Sequence, residues 1–173
     1  MPPDPFSPSL PPPCEVPGRT PPEVCVVGLG SLAGDDQAGW RLIERLAQRQ
    51  AAGELPAGRI RLVRLGPPAE VLNLLPVRRR LIVVDACRGA IAPGQWARFG
   101  WPAPHLAQTT LGHNLPLVAT LELAEALGLL PPRCELWCVG GSDFCPEAHL
   151  APAVEEAVGR MAELLAAELQ AER

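Results

Sequence analysis

Three residues have the types and surroundings to do chemistry: Asp36, Asp85 and His113. Asp36 follows a glycine-rich stretch, Gly28-Leu29-Gly30-Ser31-Leu32-Ala33-Gly34, and is the second of two adjacent acids. One aspartate is enough to cap a helix by accepting its orphan N–H groups. A pair leaves one over, with Asp35 the better cap and Asp36 the better ligand. Asp85 comes directly after Leu81-Ile82-Val83-Val84, the clearest apolar run in the chain. A carboxylate leaving such a run needs donors or a cation, because burying it unpaired is costly. Loop N–H groups or Arg88 would satisfy it without any function; a ligand role is equally open. His113 sits in Thr109-Thr110-Leu111-Gly112-His113-Asn114, ahead of a helical pattern. Alone it is an ordinary solvated histidine. Brought together with the two acids, it would complete an open site for a borderline divalent metal such as nickel or zinc. Binding there would depend on pH, because only the neutral imidazole is a ligand.

Convergence requires particular elements. Val24-Cys25-Val26-Val27, ending at Gly28, reads as a buried first strand, with a helix starting at about Asp36. Trp40, Ile43, Leu46 and Ala47 recur at helical spacing between polar residues. Ile60 to Leu65 alternates arginine with aliphatic residues, as a half-exposed strand does, and Ala69 to Leu75 suits a short helix. Leu81 to Val84 is a buried strand ending at Asp85, and Gln95 to Trp101 alternates like another. Leu115 to Leu129 is a helix with Gly128 near its end, Leu136 to Val139 a strand, and Val154 to Leu169 a long amphipathic helix. Strands alternating with helices predict an α/β fold: one domain, with a twisted, mostly parallel sheet and helices on both faces. In such a sheet Asp36, Asp85 and His113 all follow strands, and all face the edge where open α/β proteins place their sites.

Composition narrows the rest. The chain has 173 residues, 47% of them hydrophobic, enough for one domain with a proper core. A net charge of -4 excludes the basic face that a nucleic-acid binder needs. No apolar run reaches the roughly 18 to 20 residues of a membrane span. Residues 1–22 are Pro-rich without an apolar signal region and are expected to be a disordered leader, with the folded domain at 23–173. A cytoplasmic protein is expected. Of the 6 cysteines, Cys25 and Cys87 read as core thiols, while Cys134, Cys138 and Cys145 lack paired zinc-ligand spacing. The Gly-x-Gly loop resembles a dinucleotide-binding turn, but Asp35 and Asp36 would repel a pyrophosphate at that helix N-terminus, and no acid ends the second strand.

Three segments carry a closer resemblance. VVGLGSLAGDDQAGWRLIERL, LIVVDACRGAIAPGQWARF and GHNLPLVATLELAEALGLLPPRCELWCVGGSDF are similar, in order and spacing, to the NiFe-hydrogenase maturation proteases. Ser31 stands where that family has asparagine, Asp36 where some members have glutamate, and LGPPAEVL lacks the family's glycine-threonine character. The resemblance implies a peptidase that removes the C-terminal extension of a nickel-loaded NiFe-hydrogenase large-subunit precursor. By matching positions it implies that Asp36, Asp85 and His113 are the catalytic, metal-recognising residues. Nickel would then arrive on the precursor, so the resting enzyme need not hold it. No Gly-x-Ser-x-Gly elbow and no His-Glu-x-x-His helix offers a conventional alternative. A non-catalytic nickel-binding chaperone of the large subunit, using the same three residues, is the competing expectation.

Overall fold

The computed structural model describes residues 21–103 and 115–172. Most of the expected leader, Cys14, His105 and His113 lie outside the described residues. Five strands, β1 (Val24–Leu29), β2 (Ile60–Leu65), β3 (Arg80–Arg88), β4 (Trp96–Gly100) and β5 (Arg133–Gly141), form one sheet in the order β2-β1-β3-β5-β4. All neighbours are parallel except β4, which runs antiparallel to β5 at the edge. Among the described residues three helices flank the sheet: α1 (Ala38–Ala51), α2 (Leu115–Ala126) and α3 (Pro152–Ala171). The expected α/β architecture, mostly parallel and covered on both faces, is the one observed.

Burial on both faces explains why the central strands read as nearly continuous apolar runs. Val26, Ile82, Val84, Trp137 and Val139 pack under α1 and α3, where Leu42, Leu46, Val158, Met161 and Leu165 meet them. The alternate residues Val27, Leu29, Leu81, Val83 and Leu136 face the other layer, with Leu117 and Leu121 of α2 and Val71 and Leu74 of the 3-10 turn Pro68–Leu74. The buried stripe of α1 is centred on Leu42, Ile43 and Leu46, and Ala47 is exposed, unlike the spacing expectation. Gly39 sets that rotation. A Cβ there would lie 2.2 Å from the Leu29 carbonyl oxygen, so the glycine lets the helix rest directly on the strand ends.

Three further expectations need correction. The helix expected from Asp36 begins as the 3-10 turn Gly34–Gln37 and becomes α-helical only at Ala38. Asp85 does not end its strand: β3 continues to Arg88, pairing Ala86 with Val139, Cys87 with Gly140 and Arg88 with Gly141. Pairing along the whole of β5 outweighs the low strand propensity of aspartate. Gly128, after α2, has φ +66 and its N–H reaches the Glu125 carbonyl, a glycine stop where the helix was expected to run to Leu129.

The start of the sheet holds a buried ion network. Arg80, 1% exposed, binds Glu135 at 2.8 Å, Glu168 at 2.7 Å and Glu172 at 2.6 Å. Arg98 and Arg133 also bind Glu135, and Trp137 donates its indole N–H to it. Burial pushes the Glu135 carboxyl up, but these donors and charges outweigh burial and hold it at about 2. The network fastens the end of α3 to β3 and β5. Among the described residues no helix is long and apolar enough to cross a membrane.

Candidate functional site

At the opposite edge β1 and β3 part. Gly28 pairs with Val84, the last β1–β3 partnership, and Asp85 lies one residue beyond it. From there β1 leads to α1 and β2 on one side, while β3 leads toward β4 and β5 on the other. This is a switch point, the crevice in which open α/β sheets bind their ligands. Asp85 is 7% exposed, and the hydrogen bond to its carboxylate among the described residues is the Ala86 N–H on Oδ1, 2.9 Å. Burial raises its carboxyl to about 7, the negative charge of Asp36 adds to the rise, and the Ala86 N–H opposes it. Arg88, offered by the sequence as a partner, makes no ion pair with it.

Asp36 comes to the same place on the turn Gly34–Gln37, which packs against β3 and leaves Asp36 half-buried. The glycines of Gly28-Leu29-Gly30 serve this packing. A Cβ on Gly28 would lie 2.1 Å from the Gly39 carbonyl oxygen, and one on Gly30 2.1 Å from that of Asp36. The motif that imitates a pyrophosphate loop thus lets a helix start and an acidic turn close down on the strand.

Asp35 does not cap its own helix, contrary to the sequence reading; Ala33 is the cap position and no side chain bonds there. Its side chain is fully buried and accepts four hydrogen bonds from the far connection after β5: Ser142 N–H at 2.7 Å, Asp143 N–H at 3.0 Å, Ala151 N–H at 2.8 Å and the Ser142 hydroxyl at 3.3 Å. Burial pushes this carboxyl up, but together the four donors hold it below the ordinary aspartate range. The Gln37 amide donates to the Ala148 carbonyl, and the Asp35 N–H donates to the Asp143 carbonyl. The loop carrying Asp36 is therefore bolted to the connection between β5 and α3. With its lone pairs engaged, Asp35 is no ligand. Sequence reasoning missed the bolt, because Gly-Gly-Ser-Asp at 140–143 shows its importance only once both loops lie side by side.

Cys138 is in register with Asp85, and Cys87 is two residues further along β3. Burial raises both thiols, Cys87 to about 11, so neither is a thiolate near neutrality. Cys25 and Cys134 are likewise buried free thiols, and Cys145 is free and exposed. Among the described residues no three histidine, cysteine or acidic groups are placed to hold a metal ion. The arrangement brings Asp36 and Asp85 together as expected; the third candidate, His113, lies outside the described residues. Two near carboxylates, one of them buried with no cation paired to it among the described residues, have the donor chemistry that a divalent metal delivered from outside would use.

A model of the hydrogenase maturation protease family matches residues 40–168, a span that includes Asp85 and His113 and begins just after Asp36. The fold is similar to that of hydrogenase maturating endopeptidase HybD from E. coli, with TM-score 0.71 and 24% identity, covering 87% of this chain and 93% of that one. It is similar to the [NiFe] hydrogenase maturation protease HycI from Thermococcus kodakarensis KOD1, with TM-score 0.63 and 20% identity over 86% of this chain and 92% of that one. The hydrogenase 2 maturation peptidase of a Thaumarchaeota archaeon aligns with TM-score 0.63 and 24% identity, over 85% and 97%. At such identities these structures show the shared fold. No curated protein matches the chain.

Proposed function

This chain belongs to the hydrogenase maturation protease family, and from that premise we propose that it removes the C-terminal extension of a nickel-loaded NiFe-hydrogenase large-subunit precursor. Membership makes it a peptidase of the maturation class. The substrate, the nickel requirement and the residue roles are our reading, and the observation that carries it is Asp85: a buried carboxylate beside a second carboxylate, with no cation paired to it among the described residues. Nickel belongs to the substrate in this account and supplies positive charge at the crevice when the precursor docks. Asp36 and Asp85 offer their oxygens to it, and His113 is assigned the third position on the family resemblance.

The chain's own groups also suit the hydrolytic step. A carboxylate oxygen at the crevice is placed to take a proton from water. The water oxygen attacks the scissile carbonyl carbon while its proton passes to the carboxylate. The C–N bond then breaks, the proton goes to the leaving amine, and the products are a new C-terminal carboxyl and a free peptide. The deep bolting of the Asp36 loop by Asp35 supports the geometry that such a step requires.

Intact-mass analysis of the precursor, nickel-loaded and nickel-free, after incubation with this protein tests the proposal. Loss of a C-terminal peptide from the nickel-loaded form alone is the expected result. Stable binding without any loss of mass would instead make the protein a chaperone of the large subunit.

A further inference from the structure

Arg88 ends β3 and stands exposed at the edge that carries the acidic pair. Its guanidinium carbon lies 4.8 Å from the centre of the Phe144 ring. Phe144 in turn covers Gly141, where a Cβ would meet the ring at 2.7 Å and the Asp35 Cβ at 2.8 Å. Packed groups thus run unbroken from Arg88 through Phe144 and Gly141 to the acidic turn. The nearby acid is engaged by another residue: Asp143 accepts the Cys145 N–H on Oδ1 at 2.9 Å, and no ion pair joins it or any other described carboxylate to Arg88. Arg80, Arg98 and Arg133, by contrast, all converge on one glutamate at the other end of the sheet.

A guanidinium resting on an aromatic ring uses its face and keeps its N–H edge donors free. That edge fits a carboxylate through two parallel hydrogen bonds. The ring also orders the side chain before anything binds, which lowers the entropy lost on binding. Arg88 lies three residues beyond Asp85 on β3, so it leaves the same sheet edge on the alternate face, and that edge carries a pre-ordered cation as well as the two acids. A ligand that meets both carries a cation and a carboxylate together.

We propose that Arg88 is a binding subsite for a carboxylate on the C-terminal extension of the precursor. The assignment rests on the peptidase reading above, which supplies the cation that meets the acids. It makes Arg88 a determinant of which extension is accepted, and it gives Phe144 the task of holding the guanidinium in place.

The test measures binding of uncut, nickel-loaded precursor to the full-length protein by biolayer interferometry, and kcat and KM for its cleavage. Wild type is compared with Arg88→Gln and Arg88→Lys. Three precursors are used: native, one with the Asp and Glu of its extension changed to Asn and Gln, and one with an amidated C-terminus. Arg88→Gln should weaken binding of the native precursor and raise KM about tenfold, with kcat little changed, and Arg88→Lys should recover part of the loss. One neutralised precursor should bind wild type equally weakly and lose nothing more with Arg88→Gln, and which one does so identifies a side-chain or the terminal carboxylate as the ligand. Equal binding of the native precursor by wild type and Arg88→Gln would overturn the proposal. So would a fall in kcat alone, or a loss that persists on both neutralised precursors. If wild type binds but does not cut, the peptidase reading fails, while the binding comparison still decides Arg88.

Discussion

The two ends of the sheet treat a buried carboxylate in opposite ways. Glu135 and Asp85 are both nearly inaccessible, at 4% and 7% exposure, and burial pushes both upward. Around Glu135 stand Arg80, Arg98, Arg133 and the Trp137 indole, and its carboxyl is held at about 2. Beside Asp85, among the described residues, stand one backbone N–H and a second acid, and its carboxyl rises to about 7. Burial alone therefore says little about what a buried acid is for; the sign of its neighbours decides. A compensated carboxylate ties elements together. An uncompensated one is kept at a cost in stability, and a cation from outside removes that cost.

The sharpest way to break this comparison is Asp85→Asn. Cleavage of a nickel-loaded precursor should fall by about a thousandfold, since a charged ligand and a proton acceptor are lost together. The same variant should be more stable than wild type in alkaline buffer. The folded pKa of Asp85, about 7, lies above the unfolded value of roughly 3.9, so the folded state binds the extra proton between them. Wild-type stability therefore falls as pH rises from about 4 to about 7 and stays reduced above that; the asparagine variant lacks this slope. Urea unfolding at pH 5 and pH 8 reads the difference, and an unchanged slope in the variant would remove the basis of the comparison.

Arg80→Met should do the reverse, costing roughly 3 kcal/mol in urea unfolding because Glu135, Glu168 and Glu172 lose their shared cation. Cleavage measured well below its melting temperature should hardly change. The depressed pKa of Glu135 gives this end the opposite pH signature. Its contribution is full above the unfolded value of about 4.3 and is lost as pH falls through about 2. Asp35→Asn should have an intermediate effect, on the order of 2 kcal/mol, as amide protons replace acceptors opposite Ser142 and Asp143 N–H groups. It should also slow cleavage by loosening the Asp36 loop. A full-rate Asp35→Asn enzyme would show that the bolt does not position Asp36. Arg160→Ala, which removes an exposed i,i+4 pair with Glu156, should leave both melting and cleavage unchanged.

The sequence displays one end of the sheet far better than the other. The apolar run before Asp85 and the acids after the Gly-x-Gly turn are local patterns, so the pair was legible along with the strands that precede it. Even there the local view misassigned Asp35, because its four donors come from residues more than a hundred positions away. It also stopped β3 too early, since pairing with Gly140 and Gly141 is not a local signal. The compensated end was invisible. Arg80, Arg98, Glu135 and Glu168 belong to four different elements, and each reads as an ordinary surface charge until the strands and α3 meet.

Carbon-13 NMR titration of the Asp85 carboxyl, in wild type and in Asp36→Asn, tests the central claim most directly. The account predicts a wild-type midpoint near 7 and a clear downward shift when the neighbouring charge is removed. An ordinary midpoint close to 4, unchanged by the Asp36 substitution, would mean that Asp85 is already compensated and that a docking cation gains nothing from it.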